Sequence, residues 1–334
     1  MTALLHVAEK DTIASIVPGN VAYVPADAHY DGVYFYAIAR DPLGRGEAHT
    51  LIDRASYHYG HPGYGWLTWL ASGGGIPGAV PAALLAMTLL GLGVAAGAAS
   101  VLARDVGMSP WWGLSVAVNP GLLLAVAVDT SETMGVAFAL LALLAWSRER
   151  WLAAGVLIAL GCFMKEPLLF VPAGLLVGEV LRRRAGAEPD AASARSVALA
   201  TGPVLYFGWV LYCRHVFGVF PSSQISQLSA PISGWLDTLR QADGLVRSTD
   251  FQSGMTTQAL LLAVGAALAL GLVRALRTRT SVALVFVPIA ALAFCTNWNV
   301  LLYPKDLIRT VALPLALLPF VLGARAGEST QPRG

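Results

Sequence analysis

Nine apolar stretches, at residues 78–103, 109–127, 132–147, 151–164, 168–181, 197–214, 257–273, 281–296 and 305–324, limit what this chain can fold into. Each can cross or nearly cross the roughly 30 Å hydrocarbon layer of a bilayer. Inside that layer every backbone N–H and C=O must be bonded within the chain, and for segments of this length the helix achieves it. The expected fold is therefore an all-α integral membrane protein of about nine transmembrane helices. Composition agrees, with 56% hydrophobic and 13% charged residues and a mean hydropathy of +0.63. The 34 glycines and 19 prolines suit close packing and kinks among membrane helices. Neither an internal repeat nor a low-complexity tract is visible.

Charge sorts between the loops. One set holds Arg104, Arg148, Arg150, Arg182, Arg183, Arg184, Arg195, Arg274, Arg277, Arg279, Arg325 and Arg333 against six acids, a net +6; the rest of the chain carries −4. Short Arg-rich loops face the cytoplasm, so the first set is expected inside. The formal net charge of +2 hides this asymmetry and gives no reason to expect nucleic acid. Cys162, Cys213 and Cys295 are odd in number and scattered through apolar stretches, which argues for buried thiols rather than disulfides.

Residues 1–77 read as an external region, 78–324 as the transmembrane domain and 325–334 as a cytoplasmic tail. The first region lacks the basic start and apolar centre of a signal peptide. Its export calls for a reversed anchor at 78–103 or, as we favour, a transmembrane helix upstream. Asp31 begins a helical pattern, with Tyr34, Phe35 and Ile38 on one face. Tyr57, Tyr59, Tyr64, Trp66 and Trp69 then suggest a segment lying in the headgroup layer. A second horizontal helix is expected over 232–247, capped by Ser233. The stretches 151–164 and 168–181 read as two short helices meeting at Lys165-Glu166, because fusing them would export the Arg182–Arg184 run.

Four polar motifs fall on the external side: Tyr30-Asp31-Gly32, Asp129-Thr-Ser-Glu132, Lys165-Glu166-Pro167 and Tyr303-Pro-Lys305-Asp306-Leu-Ile-Arg309. Each has a structural and a functional reading. Asp31 suits a helix N-cap or a catalytic carboxylate. The i, i+3 spacing of Asp129 and Glu132 resembles a capping box, yet both acids could bind sugar hydroxyls or a divalent metal. Pro167 and Glu166 fit a helix start, whereas the shortness of the flanking stretches points to function. Arg309 could pair with Asp306 or, with Lys305, hold a lipid phosphate. His58 and His61 lack a third ligand for a metal and read as interfacial polar groups.

In order and sidedness these motifs resemble the GT-C fold glycosyltransferases that use lipid-linked sugars, the bacterial branch above all. The resemblance runs from about residue 20 onward. It rests on Tyr30-Asp31-Gly-Val-Tyr-Phe-Tyr-Ala-Ile-Ala-Arg-Asp41-Pro42, Asn119-Pro120 before Asp129-Thr-Ser-Glu132, Lys165-Glu166-Pro167 and the late Arg309. A family Tyr-Arg-x-x-Arg-x-x-Tyr segment is replaced by Tyr57-His58-Tyr-Gly-His61-Pro-Gly-Tyr64, two cations giving way to histidines.

The resemblance implies an inverting transferase in the cell envelope, moving a mannose-like sugar from polyprenyl phosphate to an external glycan or protein acceptor. Asp31 would be the base. Lys305 or Arg309 would stabilise the leaving phosphate, and Tyr34, His58, His61, Asp129, Glu132, Lys165 and Glu166 would shape the substrate sites. A lipid phosphate leaves readily, so metal is not required. The competing readings are a lipid or sugar transporter with the same cavity and a truncated, inactive relative.

Overall fold

Each of the nine apolar stretches is helical in the computed structural model, which describes residues 5–18, 30–186, 192–224, 226–247 and 250–323. Helices α1 (Gly32–Arg40), α2 (Ala55–Tyr59) and α3 (Gly63–Ala71) precede the long α4 (Val80–Asp105). Then come α5 (Gly113–Ala117), α6 (Pro120–Ala127), α7 (Glu132–Ser147), α8 (Trp151–Met164), α9 (Phe170–Arg184) and α10 (Ala192–Phe217). The chain continues through α11 (Ser233–Val246), α12 (Phe251–Thr278), α13 (Ser281–Phe294), α14 (Trp298–Leu301), α15 (Pro304–Thr310) and α16 (Ala312–Gly323). Among the described residues there is no β-strand. The 325–334 tail, with Glu188 and Asp190 of the charge count, lies outside them.

Length separates these helices into classes. Only α4, α10 and α12 are long and apolar enough to cross a membrane alone. The region preceding α6 and α6 itself form a pair bent by 49°, and α15 and α16 a pair bent by 52°, so up to five crossings follow. The expected nine are not reached, because α7, α8, α9 and α13 hold 14 to 16 residues each. At 1.5 Å per residue these are about 21–24 Å long, short of the hydrocarbon layer. Outward-facing Leu90, Leu205, Phe207, Leu211, Leu262 and Leu270 leave apolar surface uncovered on the three long helices. Such a surface marks a membrane protein.

Two ends emerge from the packing. α4, α7, α8 and α10 lie side by side. At one end Arg148 bonds Asp105 at 2.7 Å, and Arg182, Arg183 and Arg195 gather on Glu179. The other end carries Glu132 at the start of α7 and Lys165 at the end of α8.

The N-terminal region departs from the headgroup-layer expectation. Tyr59 and Tyr64 are fully buried, and their hydroxyls donate to the carbonyls of Asp41 at 2.6 Å and Leu84 at 2.7 Å. A phenol can be buried when its O–H finds such a partner. The α11 helix forms as expected, but Ile232 occupies its cap position at φ 66° and Ser233 makes no cap bond. Cys162 and Cys213 are buried and Cys295 half-buried, all as free thiols.

Candidate functional site

A cavity of about 390 Å³ opens at the end of the bundle opposite the arginine cluster. Five separate chain segments bring the charged and histidine candidates to it. α1 delivers Asp31 and Tyr34, α2 and the turn after it His58 and His61, α7 Glu132, the α8–α9 turn Lys165, and α15 Lys305 and Arg309. Asp129 and Glu166, the other two candidates, do not line it.

Local chemistry sets each position. Asp31 stands at the N-cap position of α1 but makes no cap bond. Its carboxylate accepts instead from Arg309 Nη1 at 2.6 Å, across 278 residues. Gly32 lets α1 sit against the Val128–Asp129 turn, where a Cβ would come within 2.8 Å of the Val128 carbonyl. Arg309 is aimed by the bend between α15 and α16. Asn119 secures that bend: its Oδ1 accepts from Gly121 and Leu122, capping α6, while Nδ2 donates to Ala312 O at 3.0 Å.

Ion pairs link the rest. Glu132 accepts from Lys165, and Arg309 Nε lies 3.3 Å from the same Glu132 oxygen. Glu132 therefore caps nothing: Ser131 holds the N-cap position of α7 without a side-chain bond, and the capping-box expectation fails. The Asp306–Arg309 pair fails too. Tyr30 donates to Asp306 at 2.5 Å, and its ring lies under both cations, with Lys305 Nζ at 4.7 Å and Arg309 Cζ at 4.8 Å from the ring centre. Cations over an aromatic face are held by its quadrupole. Lys305 has no carboxylate partner among the described residues.

His58 is held neutral. Burial, opposed by Asp31, pushes the His58 imidazole down to about 3, and its ring stacks on Tyr34 at 3.4 Å. His61 Nδ1 meets Glu166 Oε1 at 3.0 Å, so Glu166 acts on the cavity through His61. Burial would raise the Glu166 carboxyl, but His61 and Lys165 overcome it and hold it at about 2. Asp31 behaves alike. Its side chain lines the cavity and is 41% exposed; burial disfavours its charge, and Arg309, His58 and Lys165 bring the carboxyl down to about 2.

Asp129 is the exception. It sits in a left-handed turn at φ 52°, is 1% exposed, and its Oδ1 has no hydrogen-bond partner. Burial alone raises its carboxyl from 3.8 to about 7. A folded-state value above the unfolded one means that stability is present below about 4 and is lost as pH rises through 7. Thermal unfolding of purified protein should thus show Tm falling between pH 5 and 8. Asp129→Asn should abolish that slope and stabilise the protein at pH 8, by roughly 4 kcal/mol at most.

Sequence reasoning passed over Asp53, Arg54, Gln227 and Asn299, which also line the cavity beside Tyr57. Gln227 Nε2 donates to Tyr57 at 2.7 Å, and Arg54 adopts the left-handed φ of 45°. Asp53, Arg54 and Gln227 lie in turns or coil and Asn299 in the single-turn helix α14, settings without a motif, so no spacing marks them. Helix α11 contributes no residue to the cavity lining. That helix packs on α12, and the 226–232 segment before it lies across the end of α13, with Ser229 N and Ile232 N each donating at 2.7 Å to Cys295 and Phe294. Among the described residues no three of His, Cys, Asp and Glu gather, and Arg309 and Lys165 pair with Asp31 and Glu132.

No family model, curated protein or solved structure matches this chain.

Proposed function

We propose that this chain is a membrane glycosyltransferase of the GT-C type that moves a sugar from polyprenyl phosphate to an acceptor hydroxyl. The observation supporting it is the convergence of Asp31, Glu132, Lys165, Lys305 and Arg309 from distant segments on one polar cavity at one end of an apolar bundle. Charges near hydrocarbon are costly and are kept where chemistry needs them. In this reading the four short helices complete nine crossings, and the cavity faces the external side.

The reaction assigns a task to each group. Asp31 accepts the acceptor hydroxyl proton, the freed oxygen attacks the anomeric carbon, and the bond to the lipid phosphate breaks with inversion. The phosphate leaves with the electron pair, and Lys305 and Arg309 receive its charge. A carboxyl held near 2 is a weak base. The incoming phosphate therefore has a second effect: by drawing Arg309 away from Asp31 it raises the basicity of that carboxylate only when donor is bound. Glu132, paired to Lys165, keeps Arg309 close while this exchange occurs.

Membranes containing the protein should transfer label from radiolabelled polyprenyl-phosphate mannose to a glycan or protein acceptor, forming a new glycosidic bond. Movement of labelled lipid or sugar between leaflets without a new bond would assign the cavity to a transporter.

A further inference from the structure

A groove opens at the arginine end of the bundle. There α10 runs along α8, so close that a Cβ on Gly155 would lie 3.1 Å from Ala198 Cα. Outside this contact a groove of about 330 Å³ is lined by Trp151, Val156, Val197, Ala198 and Thr201. Val156 and Val197 are exposed along it.

A cationic cluster adjoins the groove at Trp151. The Arg195 guanidinium sits 4.8 Å over the Trp151 ring, and its Nη1 is buried, without a hydrogen bond, 3.7 Å from Glu179 Oε2. Glu179 is already engaged: it accepts from Arg182 at 2.9 Å and 3.1 Å and from Arg183 at 2.9 Å. One buried carboxylate thus faces three guanidiniums, an excess of two positive charges. The neighbouring charges do little to cancel it. Asp105 is bonded to Arg148, Arg150 adds a cation at the start of α8, and Glu149 acts on Arg182 from the α7–α8 turn. Glu188 and Asp190 lie outside the described residues.

We propose that this groove binds an anionic phospholipid, its acyl chain along Val156 and Val197 and its phosphate on Arg195 and Arg183. An apolar furrow on the outer surface of α10, a helix able to cross a membrane, meets hydrocarbon, and the Trp151–Arg195 pair marks the depth of the headgroups. Basic pockets between membrane helices hold anionic headgroups in this way. A free phosphate would use the arginines and leave the furrow idle; the occupant that explains both is a lipid.

The test uses the purified full-length chain in detergent, with native mass spectrometry to count retained lipid. Phosphatidylglycerol should be retained in preference to phosphatidylcholine. Val197→Trp fills the furrow without touching the arginines, and Arg183→Gln removes a half-exposed cation; each should weaken retention about fivefold. Arg195→Gln should do the same, the other two variants serving if loss of its contact with Glu179 prevents folding. Equal retention of the two lipids, or full retention by Val197→Trp with its helical content intact, would overturn the proposal. Displacement of phosphatidylglycerol by inorganic phosphate at equal concentration would overturn it in favour of a simple anion site.

Discussion

Asp31→Asn is expected to lower sugar transfer by roughly 10²- to 10⁴-fold, the usual range for removal of a general base. The protein should remain folded and inserted, because the substitution leaves Arg309 its contact with Glu132 and removes no helix cap. Loss of a cap would have cost about 1 kcal/mol and left turnover intact. The measurement is label transfer at saturating donor, alongside far-ultraviolet circular dichroism of the purified variant. Donor binding itself should persist or tighten, since Arg309 no longer has Asp31 to leave. Wild-type turnover in Asp31→Asn would remove Asp31 from the chemistry and reduce it to a counter-ion of Arg309.

That Asp31 and Arg309 would meet was legible only in part. Apolar runs disclosed where helices form, because a stretch without charge can satisfy its backbone only internally; the ends of α8 coincide with the expected 151–164. The sorting of arginines brought Asp31, Glu132, Lys165 and Arg309 to the same end, since loops that alternate in charge alternate in side. Partner choice was another matter. Asp306 stands three residues from Arg309, a spacing that favours a local pair. The phenol of Tyr30 takes that carboxylate instead, and the guanidinium reaches 278 residues back.

Burial was similarly hidden. The aromatics at 57–69 carry the composition of an interfacial belt, yet Tyr59 and Tyr64 found carbonyls left by the Asp41 turn and by α4 and moved into the core. Asp129 has the spacing of a capping box with Glu132, but a left-handed backbone turns it away from the helix start. The 305–324 run, which reads as continuous, is instead interrupted by the bend at Val311.

Arg309 should be the least replaceable side chain in the cavity. Its guanidinium spans two carboxylates at once, with Nη1 2.6 Å from Asp31 and Nε 3.3 Å from Glu132, and is 15% exposed. Arg309→Met leaves Asp31 without its cation and Glu132 with Lys165 alone, so a loss of about 3–5 kcal/mol in stability is expected, enough to lower the yield of folded protein sharply. Arg309→Lys separates structure from function. The charge is kept, but one ammonium cannot straddle both carboxylates or offer parallel donors to a phosphate. This variant should fold and show a KM for the lipid-linked donor raised about tenfold, with the KM for acceptor little changed, a change of roughly 1.4 kcal/mol in binding. An unchanged donor KM in Arg309→Lys would mean that the residue serves only to bridge Asp31 and Glu132, and would leave Lys305 as the cation that receives the leaving phosphate.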